Sequence, residues 1–224
     1  RIIEMKPIND ISFWQESADF EQMTTLSSGV ILRCGQGSWE DKRFQEFRNG
    51  AELAGFPYGN YWYYDNDVHP KRQAEKWSSI IGSRHGSLGC WLDIEDSNPG
   101  QFGNYKSWWD CVAYFKQLQP DAVLGIYTRA SYFNDPKYNV PVNHAFRNLP
   151  LWVAHYGVDS PSIPKGWKDW LIWQYSENGD GHAHGVHSHR IDMNWYKGEV
   201  GETPTPKGTL TVKYGDSLVE YVKK

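Results

Sequence analysis

YGNYWYYDNDVHPKRQAEKWSSIIGSRHGSLGCWLDIE, residues 58–95, contains one complete strand–helix–strand unit. Its opening run, YGNYWYY (58–64), is rich in aromatic residues, which suit a pleated and largely buried strand. KRQAEKWSSIIG (71–82) then brings Ala74, Trp77 and Ile81 to one helical face and stops at Gly82. GCWLDIE (89–95) is apolar and extended again until it reaches Asp93 and Glu95. Two strands joined through a helix run parallel with a right-handed crossover, so this unit predicts a βα architecture.

The same alternation extends in both directions. Further strands are expected at 7–12, 30–36, 122–128, 151–156, 170–175 and 190–196, making eight in all. Two further helices are expected. Residues 41–55 carry Phe44, Phe47, Ala51 and Ala54 near one face, and residues 105–120 carry Tyr105, Trp108, Val112 and Phe115, closed by Pro120. Eight strands in a domain-sized chain predict an α/β fold, a TIM-like (β/α) barrel closed on itself. Late connectors such as GVDSPSIPKGWKD (157–169) have little helical period, so the helix ring is expected to be incomplete on the C-terminal side. The rival open, doubly wound sheet lacks support, because no Gly-rich phosphate loop follows the first strand.

Composition narrows the function. The chain has 224 residues, 12 Trp, 14 Tyr and a net charge of −4. Without a basic run, nucleic acid is an unsupported partner. No apolar span suggests a membrane partner, and RIIEMKPIND lacks the apolar core of a signal peptide. Cys34, Cys90 and Cys111 form no disulfide framework. Cys34 and Cys90, on the second and fourth strands, are expected about 9.6 Å apart, beyond disulfide reach, and reduced. His182, His184, His187 and His189 crowd a Gly-rich stretch that reads as a surface loop; no metal and no cofactor are expected. The catalytic domain is expected to span 1–197. Residues 198–224 read as a linker and a short packed tail or hairpin, in preference to the start of a truncated wall-binding module.

The acids carry the chemistry. Along a strand Asp93 and Glu95 share a face, whereas Ile94 and Asp96 point the other way. Barrels build their sites at the C-terminal ends of strands, where these two acids lie. Asp10 and Asp192 interrupt the first and last strands, which become neighbours on closure. Clustered carboxyls raise one another's pKa, which prepares a general acid, and Glu95 has the longer reach. The pattern fits glycosidic or similar acid-assisted hydrolysis. The bland alternatives are solvated strand ends or a Ca²⁺ or Mg²⁺ site. Trp14, Trp62, Trp152 and Trp173 lie near strand ends, where rings stack on sugars or pack in a core.

The ordered set DISFWQ (10–15), GQG (35–37), Asp41, AGFPYGNYWY (54–63), WLDIE (91–95), GIYT (125–128), PLWVAHY (150–156), WQYS (173–176) and IDMN (191–194) resembles the glycoside hydrolase family 25 lysozymes, the Chalaropsis-type muramidases. The resemblance covers roughly residues 8–196. It implies a (β/α) barrel that cleaves the β-1,4 bond after N-acetylmuramic acid in bacterial peptidoglycan, at the cell wall outside the cytoplasm. Glu95 is then the acid/base and Asp93 orients the 2-acetamido group, which serves as nucleophile in a retaining route. Asp10 and Asp192 hold the constellation and the sugar. Tyr61, Tyr63, Tyr127, Trp152, Trp173 and Gln174 are expected to bind substrate, and the enzyme to act as a monomer. Two features depart from the family pattern. Trp62 replaces a common His and is expected to reshape a subsite, and the 181–190 loop is long and His-rich. A noncatalytic glycan-binding module on the same scaffold and a chitin-type hydrolase are the alternatives weighed.

Overall fold

The computed structural model describes residues 5–199, together with 210–214 and 217–221. The chain opens with strand β1 (Lys6–Ile11) and a short helix α1 (Phe20–Met23). β2 (Val30–Gln36) turns through Gly37, at φ +54°, into the short β3 (Trp39–Glu40). Helix α2 (Phe44–Leu53), β4 (Tyr58–Tyr63), α3 (Pro70–Ile81), β5 (Cys90–Asp93), α4 (Tyr105–Leu118) and β6 (Leu124–Thr128) follow in strict alternation. Thereafter come a one-turn helix α5 (Ala130–Phe133), β7 (Leu151–Ala154), β8 (Ile172–Asp180) and β9 (Arg190–Tyr196). The tail pairs β10 (Leu210–Tyr214) antiparallel with β11 (Ser217–Tyr221).

Local chemistry sets the helix ends. Pro70 begins α3 beside His69, whose ring accepts the Lys71 N–H at 3.2 Å, and Gly82 at φ +57° stops it. Asn104 caps α4 by accepting the Ser107 N–H at 3.1 Å.

Eight strands close into a barrel in the order β1-β2-β4-β5-β6-β7-β8-β9, with β9 returning to β1. The helix ring is incomplete after β6, as expected from the weak period of those connectors. One expectation is corrected. The pairs from β1 to β8 around the β2 side are parallel, but β9 is antiparallel to both β8 and β1. Residues 181–189 alone join β8 to β9, too short for the dozen or more residues of a parallel crossover.

Two apolar layers fill the molecule. Inside the barrel, Ile8, Ile31, Trp91, Trp152, Ile172 and Tyr196 are buried. Trp152 stands edge-on to Tyr61, Trp91 and Tyr127, at centroid distances of 6.1, 5.8 and 4.7 Å. The Trp91 ring lies against Gly125, where a Cβ would meet it at 2.3 Å, so only glycine fits there. Between barrel and helices, Trp62 stacks on Trp77 and Trp77 on Phe115, at 6.4 and 3.9 Å. Their indole N–H groups reach Gln73 Oε1 (3.3 Å) and Asn60 Oδ1 (2.8 Å), so the polar edges of these buried rings are satisfied. Trp62 therefore faces the helix layer, fully buried, and does not reshape a sugar subsite. All three cysteines are free and buried.

Candidate active site

Asp10 and Asp192 face each other as a register pair across the β1–β9 seam. Asp10 Oδ2 accepts hydrogen bonds from Gln174 Nε2 at 2.9 Å and Asn194 Nδ2 at 2.8 Å. Both amides are themselves held. Gln174 Oε1 accepts from the Tyr127 and Tyr156 hydroxyls at 2.8 and 2.6 Å, and Asn194 Oδ1 accepts from Trp152 Nε1 at 2.8 Å. A connected polar network thus rises from the barrel interior to one carboxylate, and each amide is fixed in orientation by what its oxygen receives.

Across the barrel, β5 ends at Asp93 and Glu95 follows it. Ile94 is pinned by its N–H to the Tyr127 carbonyl (2.9 Å) and by the Thr128 hydroxyl to its own carbonyl (2.8 Å). That fixed backbone aims Glu95 into the cleft while Ile94 is buried in the outer core. Asp96 serves a different purpose: its Oδ2 accepts the Asn66 N–H at 2.9 Å and its carbonyl the Tyr132 hydroxyl at 2.7 Å. Two of the three crowded acids face the site and the third ties down a loop.

Burial is the main cause of raised pKa values throughout the cluster. Asp93 lies well above the carboxylate range through desolvation, then through the charges of Glu95 and Asp10. Its Oδ1 is buried with no hydrogen-bond partner among the described residues. Glu95 is raised by desolvation, opposed by Arg129, whose Nη2 lies 3.8 Å from Glu95 Oε2. Asp192 is pushed up by burial and then by the Asp10 charge. Burial also raises Asp10, and the donors from Asn194, Gln174 and Asp192 work against that rise. A cleft of about 340 Å³ opens beside Glu95, lined also by Tyr127, Arg129, His155 and Tyr156 among others.

Most of the expected site residues come together: Asp10, Asp93, Glu95, Asp192, Gln174, Tyr61, Tyr63 and Tyr127 lie at the C-terminal end of the barrel. Two expected substrate contacts do not reach the cleft. Trp173 faces the outer layer, its Nε1 donating to the His155 carbonyl at 2.8 Å, because its neighbour Gln174 takes the inward face of the same strand. Trp152, 1% exposed, forms the floor beneath the site and holds Asn194. Asn194, Tyr156 and Arg129 contact Asp10, Gln174 and Glu95 respectively, and strand patterning alone did not single them out. The alternation Asp192-x-Asn194 was the available signal for the first. No group of three or more His, Cys, Asp or Glu able to hold a metal occurs among the described residues. The His-rich loop is docked, with Val186 and His184 buried and the Gly185 carbonyl accepting the Asp19 N–H at 2.7 Å.

An acid pair on one strand end, facing a second pair at the seam of an eight-stranded barrel, agrees with what most of the chain matches. The sequence model of Glycosyl hydrolases family 25 matches residues 9–184. This chain belongs to that family. Family 25 membership makes it a glycoside hydrolase. It is 31% identical over 204 residues to Lysozyme M1 of Streptomyces globisporus, covering 85% of this chain and 67% of that protein. It is 26% identical to the autolytic lysozyme of Clostridium acetobutylicum, covering 76% of this chain and 50% of that protein. Among solved structures, the bacterial lysozyme from Streptomyces coelicolor superposes with a TM-score of 0.72 at 26% identity, covering 88% of this chain and 94% of that one. This family 25 barrel contains no described helix long and apolar enough to cross a membrane.

Proposed function

We propose that the protein is a lysozyme that hydrolyses the β-1,4 bond between N-acetylmuramic acid and N-acetylglucosamine in bacterial peptidoglycan, with Glu95 as its acid/base. The observation that carries this reading is the pairing of Glu95 and Asp93 at the end of β5, both raised in pKa, opposite the hydrogen-bonded Asp10. A protonated Glu95 donates its proton to the glycosidic oxygen as the bond to C1 breaks. The carbonyl oxygen of the substrate's own 2-acetamido group closes on C1 to give an oxazolinium ion, with retention in the overall reaction. Asp93, whose Oδ1 is unpaired, receives the acetamido N–H and stabilises the positive charge that develops there. Glu95, now a carboxylate, takes a proton from the water that opens the ring. Asp10 and Asp192 hold one negative charge between them beside the sugar.

The same reading takes residues 1–197 as the catalytic unit and 198–224 as linker and tail, with the enzyme working as a monomer on walls outside the cytoplasm. The test is mass spectrometry of borohydride-reduced fragments from purified peptidoglycan, with Glu95→Gln in parallel. Reduced muramic acid ends from wild type, and a loss of at least about 10²-fold in the variant, are expected. Reduced N-acetylglucosamine ends would reassign the bond. Wall binding without new ends would make the chain a glycan-binding module.

A further inference from the structure

At the ends of β1 and β2 the chain builds a surface that the proposed chemistry does not use. Ser12 and Gln15 cap each other's backbone, tightening residues 12–15 into a single turn that pushes Phe13 and Trp14 outward. Trp14 is 68% exposed, with its ring 4.5 Å from that of Phe13. Trp39, on the β2–β3 hairpin, is 40% exposed and lies 6.1 Å from Phe13. Beneath these rings runs Arg33, its guanidinium 4.7 Å from the Phe13 ring and 5.3 Å from that of Trp39.

Arg33 is 8% exposed. Its Nε donates to Asp41 Oδ2 at 2.9 Å, whereas its Nη2 is buried with no hydrogen-bond partner among the described residues. A guanidinium held by one edge, with an N–H left over, costs desolvation unless something accepts from it. Arg33 is the register partner of Tyr61 on the neighbouring strand, and its charge is felt by both Tyr61 and Asp93.

We infer that Phe13, Trp14, Trp39 and Arg33 form a further sugar subsite that takes a muramyl residue of the same glycan strand, away from the bond being cut. This inference rests on the lysozyme reading. The exposed rings stack on the apolar face of the pyranose, and Arg33 Nη2 donates to the lactyl carbonyl oxygen. That oxygen belongs to a carboxylate in a peptide-free strand and to an amide in a peptide-bearing one, and it accepts from Arg33 in both. Phe13 and Arg33 position the substrate and take no part in proton transfer.

The experiment measures KM and kcat separately on peptide-free strands of uniform length, and on the same strands after their lactyl carboxyls have been reduced to alcohols. Trp14→Ala/Trp39→Ala removes two already exposed rings, so an unchanged melting temperature is expected, with KM raised about tenfold and kcat unchanged. Arg33→Gln is expected to raise KM about tenfold on intact strands and to narrow the wild-type preference for intact over reduced ones. The ring variant carries the test if Arg33→Gln fails to fold. Wild-type KM in the ring variant, or a full preference retained by a folded Arg33→Gln, overturns the subsite while leaving the lysozyme intact. A wild type that leaves both strands uncut removes the lysozyme reading and the subsite with it.

Discussion

Asp93 has a buried carboxyl group with an unpaired oxygen, held well above the ordinary carboxylate range by desolvation first and by Glu95 and Asp10 next. An unfolded Asp ionises near pH ~3.9, so raising its folded pKa gives a stability contribution that is complete below that pH and is lost as pH rises through the folded value. Asn cannot ionise. Asp93→Asn is therefore expected to lose less melting temperature than wild type between pH 4 and 8 while its hydrolysis falls by about 10²-fold or more, which thermal melts and reducing-end assays across that range will check. Arg129 acts on Glu95 in the opposite sense, because a neighbouring cation favours the carboxylate. Removing it in Arg129→Ala raises the Glu95 pKa further and keeps the acid protonated to higher pH. The alkaline limb of the kcat/KM profile is expected to move upward; a downward move would mean that Arg129 does not act through Glu95.

At the level of elements, Asp41 links three segments. Its Oδ2 accepts from Arg33 Nε and the Phe13 N–H, and its Oδ1 from the Arg43 N–H at 2.9 Å, joining β2, the turn after β1 and the start of α2. Asp41→Ala leaves a buried guanidinium without its anion, at a cost of about 3–5 kcal/mol. For a domain of this size that lowers the melting temperature on the order of 10 °C, readable by calorimetry. Elements were legible in the sequence where period and buried face agree: α2, α3 and α4 present Phe47, Trp77 and Trp108 to the barrel as their spacing predicts. The four acids were legible because carboxylates interrupting apolar strands have few inexpensive places to go. The direction of β9 was not, because strand polarity is set by the connection, and residues 181–189 give no period from which to read a hairpin. The facing of Trp173 was missed for a simpler reason. Gln174 and Trp173 were both assigned to the cleft, although adjacent strand residues cannot share a face.

Seen whole, the molecule is an acidic object working on an acidic polymer. Its formal net charge is −4. Peptidoglycan bears stem-peptide carboxylates, so approach to an intact wall is opposed at low ionic strength, where the Debye length is ~30 Å. Raising the salt from about 0.01 M to about 0.1 M shortens that range to ~10 Å. The rate on whole walls is expected to rise over this interval, while cleavage of short fragments changes little; turbidity and fragment assays run side by side will separate the two. A whole-wall rate that falls with salt would instead point to attraction through Arg33 and through Lys42, whose Nζ lies 4.8 Å from the Phe13 ring.

The seam between β1 and β9 joins the beginning of the domain to its end. Asp10 leaves the ribosome well before Asp192 and Asn194, which complete its surroundings. A nascent chain that has already exposed Glu95 still lacks the closing strand, the charge-sharing partner of Asp10 and one of the two amides that orient it. Synthesis itself thus acts as a timer: the site stays incomplete until translation has passed β9, and a fragment that ends before that strand lacks half of the seam around Asp10.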